Sequence, residues 1–279
     1  MLKTPTLQEL LEAGVHFGHQ VRRGHPRMKP YIYGARDGVH IIDLTKSDQF
    51  LKEACDFVYN LGKMGKSLLF VGTKKQARSI VEEAAESLEV PYFTERWVGG
   101  YLTNFDEVLK NIKKLKDLKQ QKEKGELKKY TKKEQLLIDR KIANLERDYK
   151  GVVDFETLPD VLFVVDAVSD NIAIREARRM GITVVSIADS NSNPVEIDYP
   201  IPGNDDAIKS IKILVDTISS AYGEGKKEAG KIKLAAEKKE EKQRVKDEME
   251  VKGEIAAEVE AAEEKVEKEA VKEAERIIE

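Results

Sequence analysis

The sequence predicts an α/β protein in which a parallel sheet is covered by helices on both faces and carries an antiparallel helical hairpin. Short runs rich in Val, Ile and Phe recur along the chain, and helical patterns separate them. Most of these runs are almost continuously apolar, which is typical of parallel strands buried on both faces. The alternation stops once, between Asn104 and Lys150, and this interruption predicts the hairpin.

Each element follows from its local pattern. The predicted strands are Val39–Leu44, Ser67–Val71, Val90–Phe93, Val161–Val165 and Ile182–Ile187, with a weaker one near Tyr199. The helical patterns between and after them cover Lys46–Met64, Lys74–Leu88, Asp170–Met180 and Asp205–Tyr222. Strands that alternate with helices in this way indicate a parallel sheet with helices on both sides.

The hairpin prediction depends on two narrow apolar stripes with a turn around Gly125 between them. The stripes step by three and four residues among Lys, Glu and Gln, at Phe105, Val108, Ile112 and Leu115 and again at Ile138, Ile142 and Leu145. Narrow stripes of this kind favour a protruding antiparallel coiled coil. Two ordinary helices packed on the sheet are the alternative. The predicted organisation is an α/β domain at 1–103 and 151–222, a hairpin at 104–150, and a charged, helix-prone or disordered tail at 223–279.

The charge is distributed unevenly. The net charge of −3 argues against a nucleic-acid partner, but the tail at 223–279 contributes −4 and the hairpin segment 106–150 contributes +6. Basic residues are therefore concentrated in parts of the chain, and the acidic tail hides this in the net charge of the whole protein. The only cysteine, Cys55, lies at apolar helical spacing, so a disulfide framework is excluded and a reducing compartment is indicated. The longest apolar run is too short to span a bilayer, and we expect a cytoplasmic protein without a membrane partner.

Gly72–Ala77 follows a predicted strand and opens a predicted helix. In a parallel sheet such a position suits a phosphate, which Lys74 and Lys75 could bind, and the phosphate could belong to a nucleotide or to RNA. A glycine-rich nucleotide fingerprint is absent, because one glycine does not make the motif. A nucleotide-binding protein or enzyme of the Rossmann type is therefore the alternative, not the leading hypothesis.

The remaining polar residues raise two further possibilities, a metal site and a catalytic site. His16 and His19 could contribute to a metal site, but the sequence places no cysteine or carboxylate cluster near them. The pair Asp205–Asp206 is interpreted as favouring the positive start of a helix that Asn204 caps. Asp166 and Asp189 end strands, yet no nucleophile, base and orienting group assemble around them. We therefore predict no catalytic residue, no cofactor and no metal.

The first 40 residues combine cations with aromatic rings. Arg22, Arg23, Arg27, Lys29 and Arg36 are interleaved with Tyr31 and Tyr33. Guanidinium groups pair with phosphates and aromatic rings stack on bases, so the pattern favours RNA, although an ordinary solvated loop has a similar composition. The only tryptophan, Trp97, is expected in a core or hinge position before the turn at Gly99–Gly100.

Six blocks, in this order, resemble the bacterial-type family of small-subunit ribosomal protein two. They are Gly14–His19, Arg27–Ile32, His40–Leu44, Gly72–Ala77, Glu95–Phe105 and Ile201–Ile208. Together they extend over residues 1–222. Two blocks depart from the family pattern: Gly24–Met28 stands where Trp-Asn-Pro-Lys-Met is usual, and Asp189–Pro194 stands where Asp-Thr-Asn-Cys-Asp-Pro is common.

The resemblance implies a Rossmann-like (flavodoxin-like) domain with an inserted coiled-coil hairpin of the bacterial or organellar type. It also implies a structural, non-enzymatic constituent of the small ribosomal subunit near the junction of head and body. The implied partners are ribosomal RNA and neighbouring small-subunit proteins, including the large first protein that helps hold messenger RNA; no small-molecule substrate is expected. The residues predicted to face RNA are Arg22, Arg23, Arg27, Lys29, Arg36, Lys74, Lys75 and Arg96. A coiled-coil adaptor that assembles proteins without RNA is a third hypothesis.

Overall fold

The computed structural model describes residues 4–231, apart from the side chain of Lys128. The predicted tail at 223–279 therefore lies outside the described residues from position 232 onward. Residues 223–231 continue the last helix.

A five-stranded parallel sheet forms the centre of the protein. Its strands are β4 (Leu68–Val71), β5 (Tyr92–Phe93), β6 (Val161–Val164), β7 (Thr183–Ala188) and β8 (Tyr199–Pro202), arranged in the order β5-β4-β6-β7-β8. The first strand of this sheet lies between the second and the third, which is the flavodoxin-like order. The predicted α/β class and parallel sheet are confirmed, because all four strand pairs are parallel.

The alternating side chains of the strands fill two separate cores. Leu68 and Phe70 of β4 point into one core and Leu69 and Val71 into the other, and all four are fully buried. The helices that complete the first core are α1 (Leu7–Glu12), α2 (Leu44–Lys63), α3 (Arg78–Leu88) and α7 (helical from 208 to 231). On the opposite face lie α6 (Asn171–Met180) and the bases of α4 (Phe105–Glu123) and α5 (Lys132–Tyr149).

Helices α4 and α5 lie between β5 and β6 in the chain and run side by side in opposite directions. Ion pairs join Lys119 to Glu146 at 2.8 Å and Lys122 to Asp139 at 2.8 Å. Val108, Ile112 and Leu115 are buried in the second core. The apolar stripe thus continues from the sheet into the contact between the two helices. Coiled-coil packing toward the tip stays a prediction.

The prediction for Val39–Leu44 was wrong in its sheet assignment. The strand exists as β3 (Val39–Ile42), but it forms a separate antiparallel sheet with β1 (Phe17–Gln20) and β2 (Ile32–Arg36). The positive φ values of Asp37 (51°) and Gly38 (76°) make the tight turn between β2 and β3. A run of apolar residues predicts a strand but not its pairing partner. No helix among the described residues is both long and apolar enough to cross a membrane.

Candidate nucleic-acid interface and the aspartate cluster

Residues 21–36, called the basic segment here, present cations to solvent. Two 3-10 turns, Val21–Arg23 and Pro26–Tyr31, carry most of it, and β2 completes it. The side chains of Arg22, Arg23, Arg27 and Lys29 are exposed, and none of them forms an ion pair with a carboxylate among residues 4–231. Arg36 is also exposed, with its Nε 3.7 Å from Asp37 Oδ2. The predicted cations of this segment therefore share one exposed stretch.

Backbone hydrogen bonds attach the basic segment to the sheet. The His25 amide donates to the Ser190 carbonyl at 2.8 Å, just beyond the end of β7. The His19 amide donates to Ser190 Oγ at 2.8 Å, and the side chain of Met28 is fully buried in the second core. A backbone held in this way is already ordered before any partner binds, which lowers the entropy cost of binding.

The other predicted cations lie in different surroundings. Lys75 is exposed. Arg96 is exposed, and its guanidinium group donates to Asp148 Oδ2 at 2.6 Å, on the last turn of α5. Lys74 points inward with an exposed side-chain fraction of 18%, and it contacts three carboxylates. Its ammonium group is already neutralised, so the surroundings of Lys74 argue against an RNA-facing role.

The predicted helix start at Lys74 is also corrected. Helix α3 begins at Arg78, and residues 75–77 form a turn. The Thr73 amide donates to Asp170 Oδ2 at 3.3 Å, and its Oγ donates to Oδ1 at 2.8 Å. The Gly72 amide donates to the Phe93 carbonyl at 2.9 Å. The phosphate site predicted at Gly72–Lys75 therefore loses these two amides as donors.

Four carboxylates that we call the aspartate cluster lie at the carboxyl ends of the strands. Asp166 follows β6, Asp189 follows β7, and Asp205 and Asp206 follow β8. Three of them are buried, and Asp206 is 52% exposed. Lys74, which follows β4, lies between them.

The Lys74 ammonium group binds three members of the cluster. Its Nζ is 2.7 Å from Asp205 Oδ1, 2.7 Å from Asp206 Oδ1 and 3.2 Å from Asp166 Oδ2. Burial would lower the pKa of Lys74, but the nearby carboxylates outweigh burial and raise it. Burial, together with the charges of Asp166 and Asp189, raises the pKa of Asp205 to about 7. One ammonium group is therefore too little positive charge for four carboxylates.

His19 joins the cluster from β1. Its Nδ1 lies 3.1 Å from Asp189 Oδ2 and its Nε2 lies 3.4 Å from Asp206 Oδ2. The contact with Asp189 raises the pKa of His19. The sequence indicates no carboxylate partner for this histidine. Its partners are at least 170 residues away along the chain, and the fold brings them together.

Glu176 is a second polar residue that the sequence patterns missed. Its carboxylate accepts hydrogen bonds from Trp97 Nε1 (3.0 Å), from the amides of Gly100 (2.8 Å), Leu102 (3.1 Å) and Thr103 (3.3 Å), and from Thr103 Oγ (3.2 Å). Burial opposes ionisation of Glu176, but these donors outweigh burial and lower its pKa. The predicted structural role of Trp97 is supported, since its ring also packs edge-on against Phe93 at 5.1 Å between centroids.

The geometry of the carboxyl edge disfavours a nucleotide. In flavodoxin-like sheets, ligands bind outside the carboxyl ends of the strands. Here the N-terminal segment covers that edge, where Asn204 Nδ2 donates to the Gly14 carbonyl at 3.2 Å. Buried carboxylates beneath it would repel phosphates. Among residues 4–231 we identify no nucleophile held by a base and an orienting group. The fold and the site define a structural α/β scaffold with an outward-facing basic segment.

Comparison with known proteins identifies the family. The family model described as ribosomal protein S2 matches residues 10–225. The small ribosomal subunit protein uS2 of Coprothermobacter proteolyticus is 49% identical over 221 residues, covering 79% of this chain and 82% of the relative. The uS2 protein of Nitratiruptor sp. is 47% identical over 221 residues, with 79% and 83% coverage, and uS2c of Rhodomonas salina is 47% identical over 220 residues, with 79% and 90% coverage.

The chain belongs to the ribosomal protein S2 family. It is a structural, non-enzymatic ribosomal protein of the small subunit, and the predicted resemblance and function class are confirmed. The alternative of a Rossmann-type enzyme is not favoured.

Proposed function

We propose that the chain binds ribosomal RNA chiefly through the phosphate groups that contact the basic segment. The observation that carries this proposal is the set of exposed cations at Arg22, Arg23, Arg27 and Lys29 without a described carboxylate partner. Most contacts between proteins and nucleic acids are made to phosphates, and a cation without a protein counterion is free to make them. Tyr33 is 82% exposed beside these residues and offers a ring for base stacking.

Arg36, Lys75 and Arg96 extend the proposed surface. Arg36 and Lys75 are exposed, and the ion pair of Arg96 with Asp148 leaves its side chain 64% exposed. Lys74 is left out of the surface, because its ammonium group is bound within the aspartate cluster.

The hairpin is proposed to reach a second RNA segment or a neighbouring protein. Lys114 on α4 lies within hydrogen-bonding reach of Lys141 on α5, and this contact, together with the repulsion between the two charges, lowers the pKa of Lys141. A phosphate bridging the two ammonium groups would relieve their repulsion. Leu136 and Leu137 near the start of α5 are 51% and 54% exposed, which would suit a protein contact instead. The proposed protein partners are neighbouring small-subunit proteins, including the large first protein that helps hold messenger RNA.

The RNA proposal can be tested with a variant that neutralises the basic segment. Arg22, Arg23, Arg27 and Lys29 are replaced together by Gln, and the occupancy of the tagged chain in small subunits is measured on sucrose gradients over a range of salt concentrations. Each phosphate contact contributes about 0.7–0.9 to the slope of log affinity against log salt, so the loss of four contacts should lower the slope by about 3.

A matched control separates local from general charge effects. Lys52 and Lys110 are exposed lysines that already pair with Asp48 and Glu107, so their replacement by Gln should leave occupancy close to that of the wild type. Equal occupancy and an equal salt slope for the four-residue variant would refute the RNA-facing assignment.

A further inference from the structure

The outward side of helix α6 carries three arginines, which we call the arginine face. Arg175, Arg178 and Arg179 are exposed, and Arg175 lies three and four residues before the other two, so all three occupy neighbouring positions of one turn. Among residues 4–231, none of their side chains forms an ion pair or a hydrogen bond. We propose that the arginine face is a second RNA-binding surface, which contacts backbone phosphates of ribosomal RNA.

The acidic residues of this region are directed away from the arginine face. Asp170, just before α6, is buried and accepts hydrogen bonds from Thr73. Glu176 is buried as well, and its carboxylate is occupied by the donors of the turn that leads into the hairpin. Ala173 and Ala177 fill the second core. The exposed side of α6 is therefore left with positive charge alone.

Helix stability alone does not account for this arrangement. The C-terminal end of a helix favours cations, which explains Arg178 and Arg179 in the last turn but not Arg175 one turn earlier. Like charges four residues apart on a helix destabilise it, and Arg175 and Arg179 have this spacing. Exposed lysines on other helices have carboxylate partners, as Lys52 has in Asp48. A bound anion would relieve the repulsion on α6.

The arginine face continues from the basic segment. Asn171 at the start of α6 donates from Nδ2 to Glu196 Oε2 at 3.3 Å, in the 3-10 turn Pro194–Glu196. That turn also packs against the turn Pro26–Tyr31 of the basic segment. Met28 and the inner side of α6 lie in the same core, so both surfaces are on one side of the parallel sheet. An RNA segment that follows this side would meet both.

The residue type favours phosphate over a protein carboxylate as the main ligand. A guanidinium group offers a planar set of donors that binds two phosphate oxygens at once. The neighbouring Ile172 is 60% exposed and would suit an acidic partner protein instead, and the test below separates the two partners. The chain also belongs to a family of the small ribosomal subunit, where phosphate is abundant.

This inference rests on the proposed RNA binding of the chain, but not on the residues of the basic segment. The two surfaces fail separately. If the four-residue variant of the basic segment binds like the wild type while an α6 variant loses affinity, the proposed RNA surface is wrong and the arginine face stands. The reverse result overturns the arginine face alone.

The first test measures rebinding of the full-length chain to small subunits from which it has been removed by a salt wash. Arg175, Arg178 and Arg179 are replaced together by Gln, and binding is followed on sucrose gradients over a range of salt concentrations. Loss of three phosphate contacts should lower the slope of log affinity against log salt by about 2–3. Replacement of the same three residues by Lys keeps the charges and should keep most of the slope.

The matched control removes three charges from the opposite face of the sheet. Lys52 on α2 and Lys209 and Lys212 on α7 are exposed, and their joint replacement by Gln should leave the salt slope unchanged. An unchanged slope in the three-arginine variant would overturn the proposal. An equal decrease in the control would also overturn it, since the effect would then be one of net charge.

The second test identifies the partner directly. Cys55 is buried, so a benzophenone maleimide attached to Ile172→Cys would mark the arginine face while leaving all three arginines in place. After irradiation of reconstituted small subunits, we expect a cross-link that ribonuclease shortens, and little of it from Lys212→Cys on the opposite face. This test decides even if the three-arginine variant fails to fold. Cross-links to protein alone, or none to RNA, would overturn the proposal.

Discussion

Replacement of Glu176 by Ala should loosen the turn that leads from β5 into the hairpin. In the wild type, one carboxylate accepts five hydrogen bonds from Trp97, Gly100, Leu102 and Thr103. Four of these donors belong to the short stretch 100–103, and the fifth is the ring nitrogen of Trp97. The substitution removes the acceptor that all of them share.

The size of the effect follows from the burial of these donors. A buried donor without an acceptor costs about 1–3 kcal/mol. The Leu102 amide is buried and the other donors are partly buried, so water can replace some of the lost bonds. We therefore expect Glu176→Ala to lower the free energy of unfolding by about 3–4 kcal/mol. Glu176→Gln keeps one acceptor oxygen, and we expect about half this loss.

The assay is urea unfolding at pH 7, followed by circular dichroism and by the fluorescence of Trp97, the only tryptophan. Because Trp97 Nε1 donates to Glu176 directly, its emission should change in the variants before unfolding begins. Glu83→Ala is the control, since Glu83 is an exposed helical glutamate on α3. Wild-type stability together with an unchanged emission spectrum in Glu176→Ala would refute this reasoning.

The same contacts predict a pH dependence. The pKa of Glu176 is lowered from its ordinary value of 4.5, so the folded state holds the proton less tightly than the unfolded chain does. The stabilisation that ionised Glu176 contributes is complete above the pKa that Glu176 has in the unfolded chain. It is lost as the pH falls through the pKa that Glu176 has in the folded protein. The difference in stability between wild type and Glu176→Gln should therefore be constant near neutral pH and shrink below pH 4.5. A difference that does not change down to pH 3 would contradict the ionised state of Glu176.

Two further predictions concern stability. Burial raises the pKa of Asp170 to about 6, so the free energy of unfolding should fall as the pH rises from about 4 to 6. Asp170→Asn should remove this fall and increase the free energy of unfolding by about 1–2 kcal/mol at pH 7. Unfolding curves at pH 4 and pH 7 check this prediction, and a loss of stability at pH 7 would contradict it. Gly225→Ala places a Cβ 2.1 Å from the Tyr59 carbonyl where α7 crosses α2, and it should cost about 2–3 kcal/mol in thermal unfolding. Gly34→Ala meets no atom within 4 Å and is the tolerant control.

Patterns that repeat locally predicted the parallel sheet and most of its helices. The helix predicted at Asp170–Met180 is observed as Asn171–Met180, and that at Lys46–Met64 as Leu44–Lys63. Apolar spacing is a property of neighbouring residues, so it can be recognised in the sequence without knowledge of the fold. The cap predicted at Asn204 was wrong: its Oδ1 accepts from the Asp206 amide at 2.8 Å and from the Ala207 amide at 3.2 Å, but these bonds close a turn, and helix α7 begins only at residue 208 instead of Asp205.

Local patterns placed two elements inexactly. Helix α3 is observed from Arg78, four residues after its predicted start, and the Lys74 carbonyl accepts from the amides of Ala77 and Arg78 in the turn before it. Strand β3 lies in the antiparallel sheet with β1 and β2 instead of the parallel sheet. Its pairing with β2 crosses the Asp37–Gly38 turn, so an Asp-Gly hairpin signal in the sequence, and not a distant partner, indicates this pairing.

Spacing and composition along the chain predicted the α/β class, which is confirmed, whereas the hairpin at 104–150 and the RNA-facing cations of the basic segment stay predictions. The class could be predicted because periodicity, turns and charge are read over a few neighbouring residues. The positions of Lys74 among carboxylates and of His19 beside Asp189 and Asp206 follow from the folded arrangement alone. In a parallel sheet the carboxyl ends of all strands meet at one edge, so residues far apart in the chain become neighbours, and their charges and pKa values are set there.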